Sequence, residues 1–174
     1  PVKLARPLDW MVVADHSDLM GIATDIKKGT PNILANAKGR EWSEGFQKGG
    51  REAGEAAFDL ISNFAQMTIP EQLVADYSPG SEVFKGIWED IVESAETYNT
   101  PGLFTAFIGY EWSSMPGEQN LHRNVIYRSA EVPDLPFSSV DSEDPRDLWA
   151  ALEKQRIEGM EVFAIPHNGN VSNG

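Results

Sequence analysis

The chain has 174 residues, one domain's length, and its 41% hydrophobic and 24% charged content belongs to a packed globular protein, not a disordered segment. Fourteen Lys and Arg face 27 Asp and Glu, and the formal charge of -13 disfavours nucleic-acid backbones and anionic membrane surfaces as partners. With no cysteine there is no disulfide, no thiolate nucleophile and no Cys-held metal, so any metal site must draw on His, Asp, Glu, backbone or water.

The opening residues PVKLARPLDW lack the layout of a signal peptide, and no apolar run reaches the roughly 18 residues of a membrane span. The expectation is a soluble protein, cytoplasmic or periplasmic, without an initiating Met and cut from something longer. Leu8 to Ala14 is short, nearly continuous and rich in β-branched and aromatic residues, which predicts a buried parallel strand. It ends in Asp15-His16-Ser17-Asp18. Residues 21–39 read as loop, with Thr30-Pro31-Asn32 as a breaker. Glu41 to Ala65 reads as helix, with Trp42, Phe46, Phe58, Ile61 and Phe64 near a 3.6 period. Gly45, Gly49, Gly50 and Gly54 weaken it and leave two helices as the alternative; segment 39–54 has no assigned role.

Thr68 is placed to cap a helix running to Tyr77, with Pro70 in the first turn and Glu71 completing a capping box. A longer helix follows from Ser81, carrying a stripe of Val83, Ile87, Ile91, Ala95 and Tyr98. Asn99-Thr100-Pro101-Gly102 stops it. Leu103 to Tyr110 is the second strong strand and leads at once into Glu111. Leu121 to Tyr127 alternates as a third strand after a loop at 113–120. Residues 129–143 read as loop. Asp144 caps a helix with Pro145 at its first position and an apolar face of Leu148, Trp149, Leu152 and Ile157. Glu161 to Ile165 is the last strand and ends in Pro166-His167-Asn168. Strands separated by helices predict an α/β fold with a mainly parallel sheet.

The polar residues fall where the apolar runs stop. His16, Glu111 and His167 each follow a strand, and the carboxyl ends of parallel strands share one rim. His122 reaches that rim only from the start of an antiparallel strand. Singly, each has a plainer reading: a hydrogen-bonded histidine, a solvated carboxylate. All three histidines of the chain in such positions, with Glu111, point instead to one metal site. Imidazole with carboxylate suits Zn, Mn or Fe. Asp15 is placed to hold a neighbouring imidazole, or to bind a metal or water itself. Arg123 is placed to clamp an anionic oxygen.

These same residues carry a family resemblance. Val13-Ala14-Asp15-His16-Ser17 resembles the T-D-H strand end of the PHP (polymerase and histidinol phosphatase) superfamily, with Ala14 in place of Thr. Phe107 to Trp112, Asn120 to Val125 and Ile165 to Asn168 resemble a bacterial PHP-like family, domain-of-unknown-function family 3604, over nearly the whole chain. The resemblance implies a distorted seven-stranded β/α barrel with two or three divalent metals at its C-terminal rim. By position it makes His16, Glu111, His122 and His167 metal ligands and Asp15 a supporting carboxylate. The superfamily's opening H-x-H and closing D-x-H do not occur, so residues 1–174 are expected to be one PHP-like domain lacking its first and last barrel strands.

The function expected is metal-dependent hydrolysis of a small phosphoester through metal-activated hydroxide. Asp15 and Arg123 would serve catalysis, and Arg123 and Asn168 would bind the small anionic substrate. The alternative is a non-catalytic barrel module that binds metal or an anion.

Overall fold

The computed structural model describes residues 5–167 and Gly169, apart from the side chain of Glu118. In chain order the elements are β1 (Trp10–Val12), β2 (Asp15–His16), α1 (Ile22–Lys28), α2 (Pro31–Ala35), α3 (Ala37–Lys48), α4 (Gly50–Ala65), α5 (Glu71–Tyr77), α6 (Glu82–Tyr98), β3 (Thr105–Trp112), a 3-10 turn (Pro116–Glu118), β4 (Arg123–Tyr127), α7 (Pro145–Ile157) and β5 (Val162–Pro166). They divide into two compact units. One takes the residues up to Asp18 and from Lys85 onward; the other is Leu19–Phe84. No helix among the described residues is long and apolar enough to cross a membrane.

The first unit is a sheet in the order β1-β3-β4-β5, with β2 also pairing β3. Pairing of β1 and β2 with β3 is parallel; pairing of β3 with β4 and of β4 with β5 is antiparallel. This corrects the expected mainly parallel, seven-stranded β/α barrel. Among the described residues the sheet has five strands, is mostly antiparallel by length of pairing, and is open. The reason lies in the connections. The link from Trp112 to Arg123 holds only a 3-10 turn, too little for the helical crossover that a parallel neighbour needs. Strand β4 therefore turns back along β3. Strand β5 then runs in the β3 direction but takes its place beside β4.

The register sorts the strand residues into two faces. Ile108, Tyr110, Trp112, Val125, Tyr127 and Val162 lie on one face and are buried. Trp88 of α6 packs edge-on against Tyr110 and Tyr127, with ring centroids 6.0 and 6.3 Å apart. Its Nε1 donates to the Pro133 carbonyl at 2.9 Å, which ties the following loop to this core. From α7, Gln155 accepts from the Tyr127 hydroxyl at 2.9 Å. Burial pushes the Tyr127 phenol well above its usual range, so it stays a neutral donor.

The other face carries Trp10, Val12, Phe107, Gly109, Glu111, Asn124, Ile126, Phe163 and Ile165. Here the expectation of a buried first strand fails, because β1 is an edge strand and Trp10 is 60% exposed. Gly109 fits because a Cβ there would stand 2.7 Å from Val12 Cγ2 and 2.8 Å from the Val125 carbonyl oxygen.

In α7 the Asp144 cap holds as expected, accepting from Arg146 N at 2.9 Å. Its apolar face is narrower than expected: Leu148 and Leu152 are buried, but Trp149 and Ile157 are exposed.

The second unit is helical. The segment 21–39, expected as loop, contains α1 and α2 and the start of α3. Its Gly, Pro and Asn residues mark helix ends. Gly29 closes α1 at φ 70, Pro31 opens α2, and Asn36 caps α3 by accepting from Lys38 N and Gly39 N at 3.0 and 3.1 Å. The stretch from Glu41 to Ala65 is two helices, as its glycines allowed. Gly49, at φ 73, makes the break, and Gly45 lets α3 approach α4, since a Cβ on it would meet that of Ala56 at 2.7 Å. Trp42 Nε1 and Lys38 Nζ both reach Asp59 Oδ2, at 2.6 and 2.8 Å. Thr68 does not cap α5; its hydroxyl donates to Asn63 Oδ1 at 2.9 Å, and the helix starts after Pro70.

Candidate metal centre

The site lies at one end of the sheet in the first unit. Glu111 is the penultimate residue of β3, paired with His16 of β2 on one side and Asn124 of β4 on the other. His122 immediately precedes β4 and His167 immediately follows β5. Alternation puts all four side chains on the Glu111 face. Three segments distant in sequence thus deliver an imidazole to one carboxylate.

The distances are short. His122 Nδ1 donates to Glu111 Oε1 at 2.8 Å, and His167 Nε2 lies 2.9 Å from the same oxygen. His16 Nε2 stands 3.6 Å from Glu111 Oε2. The His122 ring meets those of His16 and His167 edge-on, with centroids 5.6 and 6.1 Å away. Glu111 and His122 are buried, whereas the His16 side chain is 59% exposed, so the group opens to solvent on the His16 side. Burial raises the Glu111 pKa, but the His122 hydrogen bond and the charges of His16, His122 and His167 outweigh it and hold the carboxyl below its ordinary value.

Donor atoms of His16, Glu111 and His122 all lie within 4.8 Å of one another, close enough to hold one metal ion. The residues fit such an ion in two further respects. His122 Nε2 is buried and has no hydrogen-bond partner among the described residues, an expensive state for an imidazole nitrogen. Two donors, each about 2.0–2.2 Å from a cation and at a tetrahedral angle, stand about 3.3–3.6 Å apart. The His16–Glu111 separation of 3.6 Å falls at the upper end of that range.

Two residues not singled out from the sequence complete the surroundings. Ser113 Oγ is 2.6 Å from His16 Nδ1 and donates to the Glu111 carbonyl at 3.2 Å. Asp18 Oδ1 is buried, without a hydrogen-bond partner among the described residues, and 3.8 Å from His16 Nδ1. Burial raises the Asp18 carboxyl, against the opposing pull of His16. Ser17 anchors the same strand end, its N and Oγ both donating to the Glu111 carbonyl at 2.8 Å. Sequence position offered one signal for Asp18 and Ser113: each lies two residues beyond a ligand candidate.

The other expected site residues stand apart. Asp15 pairs with Tyr110, which turns it to the face opposite Glu111. Arg123 pairs with Trp112, also on that opposite face. Its guanidinium carbon lies 5.8 and 5.9 Å from the ring centres of Trp112 and Trp149, and Nη1 donates to the Leu121 carbonyl. Desolvation lowers the Arg123 pKa. Asn168 lies outside the described residues.

The family described as "Protein of unknown function (DUF3604)" matches residues 1–174, and the chain belongs to it. No curated protein and no solved structure matches the chain.

Proposed function

We propose that the chain forms part of a metal-dependent hydrolase, with a small phosphoester as the substrate class. The observation that carries this reading is the meeting of three imidazoles on one largely buried carboxylate. His16, Glu111 and His122 would hold a divalent cation, with His167 as a further ligand. The mixed nitrogen and oxygen set suits Zn, Mn or Fe better than Mg or Ca. Such a cation supplies Lewis acidity, lowering the pKa of water toward neutrality and polarising a phosphoryl oxygen. The chain's own part is to fix the ligands at a solvent-facing edge and to keep Glu111 ionised. The substrate class rests on the PHP resemblance, and the charge of -13 favours a small ester over a polyanion.

Arg123 gives the second reading its support. Held between two tryptophans on the opposite face, it offers no cation to an anion at the Glu111 cluster. A module that binds metal without turnover needs no such clamp.

Purification without chelator followed by elemental analysis tests the shared premise, with Zn, Mn or Fe expected at or above one equivalent. Turnover of p-nitrophenyl phosphate with added Mn, abolished in His167→Ala, separates hydrolysis from binding alone. Bound metal without turnover favours the second reading. No bound metal and no thermal shift on adding Zn or Mn rejects both.

A further inference from the structure

We propose that Ser113 fixes the tautomer of His16, keeping hydrogen on Nδ1 so that Nε2 faces Glu111 as a bare lone pair. A neutral imidazole has one donor nitrogen and one acceptor nitrogen, and the partner of each decides which is which. On the Nδ1 side the neighbour within hydrogen-bond reach is the Ser113 hydroxyl. Ser113 has one hydroxyl hydrogen, directed at the Glu111 carbonyl at 3.2 Å. Its oxygen is thereby left as the acceptor for Nδ1 at 2.6 Å. Asp18 Oδ1 is 3.8 Å from the same nitrogen, too far to accept from it. On the Nε2 side the Glu111 Oε2 atom is 3.6 Å away, too far to hold a hydrogen there.

The geometry is held from both strands. His16 pairs with Glu111 in the sheet, and Ser17 N donates to the Glu111 carbonyl at 2.8 Å. Ser113 follows Trp112, the last residue of β3, and is itself buried. The hydroxyl is therefore placed by the backbone that places Glu111, and the imidazole cannot turn over without losing its partner. Ser113 is a positioning residue: it would touch neither cation nor substrate. Its purpose rests on the metal-binding reading, but the tautomer itself does not.

The test is long-range proton–nitrogen correlation NMR on 15N-labelled, chelator-treated full chain, at about two pH units above the ordinary histidine pKa of about 6.5. His16 is assigned from the spectrum of His16→Gln. The expected spectrum shows Nδ1 as the protonated and Nε2 as the unprotonated nitrogen of His16. Ser113→Ala shifts the population toward hydrogen on Nε2, and Ser113→Thr, which keeps the hydroxyl, restores the native pattern. In a separate titration with Zn, Ser113→Ala lowers affinity about tenfold or more, as loss of a ligand's supporting hydrogen bond does. A native His16 with hydrogen on Nε2 overturns the proposal, as does an unchanged tautomer in Ser113→Ala. If Ser113→Ala does not fold, the native spectrum decides alone. The expected tautomer in a chain that binds no Zn leaves the proposal standing and defeats the metal reading instead.

Discussion

Glu111 accepts from His122 at 2.8 Å with both side chains withdrawn from water, so the site holds a charged hydrogen bond at the sheet end before any cation is considered. Such a bond is expensive to leave half made, because the surviving partner stays buried.

Its pH dependence has a definite sign. The Glu111 carboxyl is held below its reference value of 4.5 in the folded chain. The stability it contributes is present above that value and is lost as pH falls through the lowered folded value. In metal-free protein, thermal melts of Glu111→Gln should show a lower midpoint at neutral pH than wild type. The two curves should converge on acidification below about 4.5. Parallel curves across that range would remove Glu111 from the acid response.

The glycines of α3 and α4 should respond in opposite ways to added side chains. A Cβ at Gly45 would meet Ala56 Cβ at 2.7 Å, whereas nothing lies within 4 Å of one at Gly54. Gly45→Val should lower the urea-unfolding free energy by about 1–3 kcal/mol, the range for overpacking a fitted contact. Gly54→Ala should raise it by about 0.5–1 kcal/mol, from helix propensity alone. Equal effects would mean that α3 and α4 do not approach through Gly45.

The start of α7 gives an acid-side marker away from the Glu111 cluster. Hydrogen bonds from Arg146 hold the Asp144 carboxyl down to about 2, against a reference value of 3.8. Its contribution is complete above 3.8 and disappears as pH falls through about 2. Asp144→Asn keeps an oxygen for the cap but cannot titrate. Melts between these two pH values should therefore show wild type losing ground to Asp144→Asn. An unchanged difference would show that the cap's charge adds nothing.

The site was more legible than the sheet around it. His16, Glu111, His122 and His167 stand out because each polar residue abuts a short apolar run, and strand ends are where a sheet gathers residues from distant segments. Even the antiparallel approach of His122 follows from its place at the head of a strand. Strand order was not legible. Local patterning says that β5 is a strand, but its neighbour is chosen by the path of residues 128–161, and the helical pattern at 145–157 does not say beside which strand the chain returns. The alternation of strand and helix therefore suggested a mainly parallel sheet, and the family resemblance a barrel, that the short link at 113–122 does not permit. Arg123 was misleading for a simpler reason: adjacency in a strand means opposite faces, so the residue beside His122 points away from what His122 touches. Ser113 was harder to read because its role depends on a contact with His16 across 97 residues, which its place two residues beyond Glu111 only hints at.

Gly109 sits two residues before Glu111, directly beneath Val12 of the strand that leads on to His16. Even one methyl group at this position would press on the Val12 side chain and on the Val125 carbonyl, crowding the sheet close to the Glu111 cluster. The close packing of the strands that carry His16, Glu111 and His122 thus leans on a residue that touches none of the three.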